Sequence, residues 1–235
     1  MNSLPVAVID SGIIENAFCF PHEIHQIEIM KHRWVKHNTK DSIRSHGTVV
    51  SAILSKYAPD VEIYSVRIFY GESLSTDCKS LVQALSWCYH HKIPLINLSL
   101  GTTEERDFAK VERIVSKMTA QGQIIVSAYH TNGSVTMPAS HPDVIGVRTS
   151  SELSGNSFYP DYSHGKHDFI ASSQHQLTTE FSHISFQTEL SSSYAVPTVT
   201  AALANCMLEH ARGNQHDYIE LVKTKAHKQV NHLMR

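Results

Sequence analysis

Hydrophobic positions fall along the chain in two alternating textures. Short runs rich in β-branched residues occupy 6–9, 61–68, 93–98, 124–128 and 144–147. Runs with so few polar breaks read as strands covered on both faces, the pattern of a parallel sheet. Between and after them the spacing predicts helices over 47–57, 76–91, 104–121, 194–212 and 217–230. Strands alternating with helices predict an α/β fold, a three-layer α/β/α arrangement around a mostly parallel sheet. Serine, asparagine and proline clusters place the loops, most clearly over 150–167. No internal repeat, low-complexity tract or linker breaks the 235 residues, so 1–235 reads as one domain.

Composition narrows the function classes. Hydrophobic residues at 41% with 18% charged suffice for a core and exclude a disordered scaffold. A formal net charge of -2 supplies no positive field for nucleic acid or an anionic membrane. No apolar stretch approaches the ~18 residues of a membrane span, and Met1 to Pro5 has no signal-peptide character. Cys19, Cys78, Cys88 and Cys206 form no CxxC pair, which suits reduced thiols in a cytoplasm. In the tail over 214–235, Lys223, Lys225, Lys228 and Arg235 with apolar Ile219, Leu221 and Val222 predict an amphipathic helix packed on the domain. Two counts stand out: 17 histidines, and 10 glycines, about 4% against a usual ~7%.

In α/β folds reacting groups collect at the carboxyl ends of the strands. Asp10 ends the run 6–9 and precedes Ser11 and Gly12. A carboxylate there is costly unless it accepts hydrogen bonds or meets a cation. His46, in Ser45-His46-Gly47-Thr48 at the start of a helix, is the natural partner. An Asp bonded to one imidazole nitrogen leaves the other free to act as a base. Ser193 opens another helix, with Pro197 expected in its first turn, where a missing amide hydrogen is tolerated. A serine at that point meets the positive end of the helix dipole and amides that can hold an oxyanion. Taken singly, each residue has a plainer use: a turn or cap for Asp10, a surface histidine for His46, an N-cap for Ser193.

The order Asp, His, Ser is that of the subtilisin-type triad. Together with Val8-Ile9-Asp10-Ser11-Gly12, Ser45-His46-Gly47-Thr48, Ile96-Asn97-Leu98-Ser99-Leu100-Gly101 and Ser193-Tyr194-Ala195-Val196-Pro197, it makes the chain resemble the subtilase family of serine peptidases over most of its length. The resemblance implies Ser193 as nucleophile, His46 as general base and later acid, and Asp10 as the orienting carboxylate. It further implies a serine endopeptidase working through an acyl-enzyme. Ser99, Leu100 and Gly101 then resemble the family's edge for an extended peptide.

The chain departs from the family at three places. Where relatives carry an oxyanion asparagine it reads Ala128-Tyr129-His130-Thr131-Asn132. Ungapped counting selects Thr131; one inserted residue selects Asn132, whose amide donor suits the role better. Ser191 and Ser192 replace Gly-Thr ahead of the nucleophile, so a positive φ at Ser191 would be strained. Tyr129 and His130 replace small residues of the first specificity pocket, which points to a narrowed or polar pocket and to selectivity. With few residues ahead of Asp10, neither a prodomain nor the family's calcium segment is expected, and no cofactor is called for. This compact form is similar to that of peptidases that trim a specific precursor, such as leader-removing enzymes, with a peptide as the expected partner. The alternative is a weak or inactive module that binds peptide without cutting it. His22-Glu23-Ile24-His25 and Cys88-Tyr89-His90-His91 lack HExxH spacing and a second ligand pair, so no metal site is expected.

Overall fold

The computed structural model describes residues 3–30, 33–36, 45–70, 76–163, 165–180 and 182–233. In chain order its first half contains β1 (Leu4–Asp10), β2 (His25–Met30), β3 (Arg33–Lys36), α1 (His46–Tyr57), β4 (Val61–Arg67), α2 (Cys78–His90), β5 (Leu95–Leu98) and α3 (Glu105–Ala120). There follow β6 (Ile124–Ala128), β7 (Ile145–Thr149), β8 (Phe158–Asp161), β9 (Asp168–Ala171), β10 (Gln176–Thr178), β11 (Ser185–Gln187), α4 (Ser192–Glu209) and α5 (Gln215–Leu233).

Among the described residues nine strands form one sheet in the order β3-β2-β4-β1-β5-β6-β7-β9-β8, and β10 and β11 form a separate ribbon. Every pairing from β2 to β9 is parallel, while β3 and β8 run antiparallel at the two edges. Among the described residues no helix is long and apolar enough to cross a membrane.

The period of two along a strand decides which layer each side chain joins. On β1, Val6 and Val8 enter the core shared with α1, α4 and α5, whereas Ala7 and Ile9 enter the core shared with α2 and α3. On β5, Leu95 faces the first core, and Ile96 and Leu98 face the second. The same parity puts Asp10, Asn97 and Ser99 on the side of α1 and α4. Asn97 is fully buried there, with Oδ1 accepting from Thr200 Oγ1 at 3.0 Å and Nδ2 donating to Ser99 Oγ at 3.1 Å. A sheet with both faces covered explains why its central strands read as uninterrupted apolar runs.

The five predicted strands and five predicted helices all occur, with ends moved by up to three residues. Several strands carry no such signature. In β2, Gln26 and Glu28 break the apolar run, yet both are buried. Gln26 donates to Glu15 at 3.0 Å and Glu28 lies 3.6 Å from Arg67. β8 lies inside the stretch expected to be loop, a four-residue edge strand containing Pro160, which an edge tolerates. In α5, Lys225 pairs with Glu209 at 2.7 Å and Lys223 with Glu220 at 2.8 Å. Arg235 and the Lys228 side chain lie outside the described residues.

Gly47 is where α1 presses on the end of β1. Its N–H donates to Ser11 Oγ at 2.9 Å, and a Cβ there would stand 2.5 Å from the Gly12 carbonyl oxygen and 3.1 Å from Asp10 Cβ. Gly47→Ala must therefore push α1 away from β1. We expect a loss of roughly 1–3 kcal/mol, read as a lower denaturant midpoint. A variant as stable as wild type would contradict this packing.

Candidate active site

Asp10 is 1% exposed at the carboxyl end of β1, and its carboxylate is satisfied locally. Ser11 N–H donates to Oδ1 at 2.7 Å, and His46 Nδ1 lies 2.8 Å from Oδ1 and 2.9 Å from Oδ2. With Nδ1 as the donor to a carboxylate, Nε2 is left as the basic nitrogen. Among the described residues Nε2 has no hydrogen-bond partner. Burial opposes protonation of His46, but the Asp10 charge and hydrogen bond outweigh it and raise the imidazole above its ordinary value. Tyr194 stacks on a face of the ring, centroids 5.2 Å apart and planes inclined by 29°.

Ser193 is the second residue of α4, and Pro197 is the sixth, one turn deeper than the sequence suggested. Proline has no N–H for the carbonyl four residues back, which here belongs to Ser193. Ser99 Oγ donates to that carbonyl at 3.1 Å. In return the Ser193 hydroxyl donates to the Ser99 carbonyl at 3.0 Å. This reciprocal pair fastens the first turn of α4 to the end of β5 and turns the Ser193 hydroxyl toward β5 rather than His46.

A cavity of about 440 Å³ opens beside Ser193. Ser99, Leu100, Gly101, Tyr129, His130 and Thr131 line it, so the predicted edge and pocket residues come together. Asn132 is exposed and does not join them. Its side-chain oxygen accepts from Ser134 N at 3.0 Å, in a turn that closes at Gly133 with φ +81°. Of the two residues open for the oxyanion role, Thr131 lines the cavity and Asn132 does not. Ser191 adopts φ −152° and ψ 136°, ordinary extended backbone, so the strain expected there is absent. Tyr129 borders the cavity, but its bulk is accommodated elsewhere. Its hydroxyl donates to Asp168 Oδ2 at 2.8 Å, the Arg148 guanidinium covers its ring at 3.7 Å, and a Cβ on Gly146 would collide with it.

The family model for subtilases matches residues 2–235. The chain belongs to the subtilase family. This subtilase is 28% identical over 162 residues to the minor extracellular protease Epr of Bacillus subtilis (strain 168), covering 64% of this chain and 24% of that protein. It is 27% identical over 139 residues to subtilisin Savinase of Lederbergia lenta, covering 54% and 50% respectively. The chain thus spans about a quarter to a half of the length of these relatives. Among solved structures it is similar to the prenylagaramide maturation protease PagA, with a TM-score of 0.70 at 20% identity over 94% of this chain and 82% of that one. The nisin leader peptidase NisP of Lactococcus lactis superposes with a TM-score of 0.69 at 18% identity, over 93% and 81%. At these identities the likeness is one of fold.

One residue of this subtilase's site has no signature in the sequence. His175 is fully buried behind the first turn of α4. Its Nε2 lies 2.9 Å from the Tyr194 carbonyl oxygen and its Nδ1 3.1 Å from the Tyr57 hydroxyl. The carbonyl requires Nε2–H, so Nδ1 accepts from Tyr57 and the ring is neutral. The chain Tyr57–His175–Tyr194 ties the end of α1, the helix that begins with His46, to the helix that carries Ser193. Burial pushes His175 down to about 4, against the partial support of hydrogen bonds to backbone carbonyls. The folded state therefore resists protonation, and stability falls as pH drops from about 6.5 toward about 4. We expect a loss on the order of 2–3 kcal/mol over that window. Comparing urea midpoints at pH 7 and pH 4.5 tests this: the difference should shrink in His175→Gln, and an equal difference in both proteins would contradict it.

Proposed function

We propose that this subtilase is a serine endopeptidase, with 1–235 acting as a single peptidase domain. The observation that carries the reading is the bidentate Asp10–His46 contact with Ser193 on the adjoining helix N-terminus. In this reading the Ser193 hydroxyl swings from the Ser99 carbonyl to His46 Nε2 and gives up its proton there. Its oxygen attacks the peptide carbonyl carbon while the π pair moves onto the carbonyl oxygen. His46 returns the proton to the leaving amine, and water later releases the acyl group by the same route. Asp10 holds the ring and stabilises the imidazolium. The edge at Ser99, Leu100 and Gly101 binds substrate main chain as an added strand.

The substrate class we infer is a specific precursor peptide. Two observations support it: His130 and Thr131 bring polar side chains to a wall that also holds Phe69, Leu100 and Tyr129, and similar folds belong to proteins described as maturation and leader-peptide proteases. The resting Ser193–Ser99 bond is also what a peptide-binding module without turnover would keep. Labelling with a fluorophosphonate separates the two. An enzyme labels at Ser193 and loses the label in Ser193→Ala, whereas absence of labelling at every pH favours the binder.

Two further outcomes follow for the enzyme. Since His46 acts as a neutral base, kcat/KM should rise with pH through a midpoint above the ordinary imidazole value of 6.5. A midpoint below that value would contradict the Asp10 contact. Asp10→Asn, which removes the charge and reverses the preferred tautomer, should lower kcat by about 10,000-fold.

A further inference from the structure

An oxyanion formed at Ser193 requires at least two donors, and the structure presents one plainly. That donor is the Ser193 N–H, free of an intrahelical acceptor because Ser193 is the second residue of α4. Stabilising such a charge ordinarily calls on a second, polar side chain close to the first. Among the described residues that line the cavity there is no asparagine, glutamine, lysine or arginine. Asn132 lies outside that lining, exposed, with its Oδ1 accepting from Ser134 N–H.

Ser191 stands at the required place. It is the N-cap of α4, it lines the cavity, and its Oγ accepts from Ser193 N–H at 3.3 Å. The hydroxyl therefore sits on the very amide hydrogen that an oxyanion would share. At 3.3 Å the bond is long, so that hydrogen can be divided between two acceptors. Two oxygens that share one N–H lie next to each other. Oγ uses only lone pairs on the amide, and among the described residues its own hydrogen meets no acceptor. The backbone around it is held independently, by Ser191 N–H donating to Ser173 Oγ at 3.3 Å and Tyr194 N–H donating to the Ser191 carbonyl at 3.1 Å.

We propose that Ser191 is a catalytic residue whose hydroxyl donates a hydrogen bond to the oxyanion, in place of the amide side chain that the cavity lacks. The inference rests on Ser193 being the nucleophile. In the step itself the Ser193 Oγ–C bond forms, the C=O π pair becomes the oxyanion, and the Ser193 proton passes to His46. Ser191 transfers no proton; it turns its O–H toward the new charge while keeping its contact with the amide. The departure from glycine at this position is then the counterpart of the displaced asparagine.

The experiment compares Ser191→Ala, Ser191→Gly, Ser191→Thr, Thr131→Ala and Asn132→Ala on one peptide substrate. Glycine is nearly as good an N-cap as serine, so Ser191→Gly separates a lost donor from a lost cap. We expect Ser191→Ala and Ser191→Gly to lower kcat on the order of 100-fold with little change in KM. Ser191→Thr should retain most activity, and Asn132→Ala should stay within about twofold of wild type. Affinity for a peptidyl aldehyde, which forms a tetrahedral adduct, should fall in parallel with kcat, while affinity for the unreactive peptide amide should not. Full kcat in Ser191→Ala and Ser191→Gly would overturn the proposal, as would a loss confined to Thr131→Ala or Asn132→Ala. If Ser193→Ala stays active, the assignment of the nucleophile has failed instead.

Discussion

A carboxylate buried at the end of a central strand is the constraint around which this molecule is arranged. Left unpaired, a charge as enclosed as that of Asp10 would cost several kcal/mol. It is tolerated because Ser11 N–H and His46 Nδ1 both reach it. His46 arrives on α1, which can come close only because Gly47 has no Cβ to meet the Gly12 carbonyl. Strand parity had already aimed Asp10 at the layer holding α1 and α4. The same pairing that makes the carboxylate tolerable raises the imidazole above its usual basicity.

The second tie is made by a missing group. Pro197 has no amide hydrogen for the Ser193 carbonyl, and Ser99 fills the gap with its hydroxyl. Asn97 extends the linkage into the helix, bonding both Ser99 and Thr200. His175 adds a bridge from α1 to α4. The three elements that bear Asp10, His46 and Ser193 are thus joined by directional bonds as well as by apolar packing.

Much of this is legible in the sequence, for a definable reason. Strands buried on both faces and helices with buried sides leave long regular patterns, so the central parallel strands and all five helices can be read from them. β2 and β8 cannot, because Gln26 and Glu28 are buried with distant partners and Pro160 looks like a loop residue. Asp10, His46 and Ser193 are legible because each sits in a short motif and the order of the motifs is informative. The Ser99–Ser193 tie and the place of His175 are decided by contacts across the fold. Ser99 and Ser193 lie 94 positions apart, and Tyr57 and His175 lie 118 apart. No local pattern reports such pairings.

The order of the strands also has a consequence for how the molecule comes into being. β1 comes first among the strands described, but its two neighbours begin at Leu95 and Val61, and α4, which lies across it, begins at Ser192. Contacts so distant in the chain make for slow folding, since the loops between them must close before the contacts can reward it. A growing chain therefore holds Asp10 and His46 long before it holds Ser193. The three residues can thus come together only when nearly the whole fold exists, a delay written into topology.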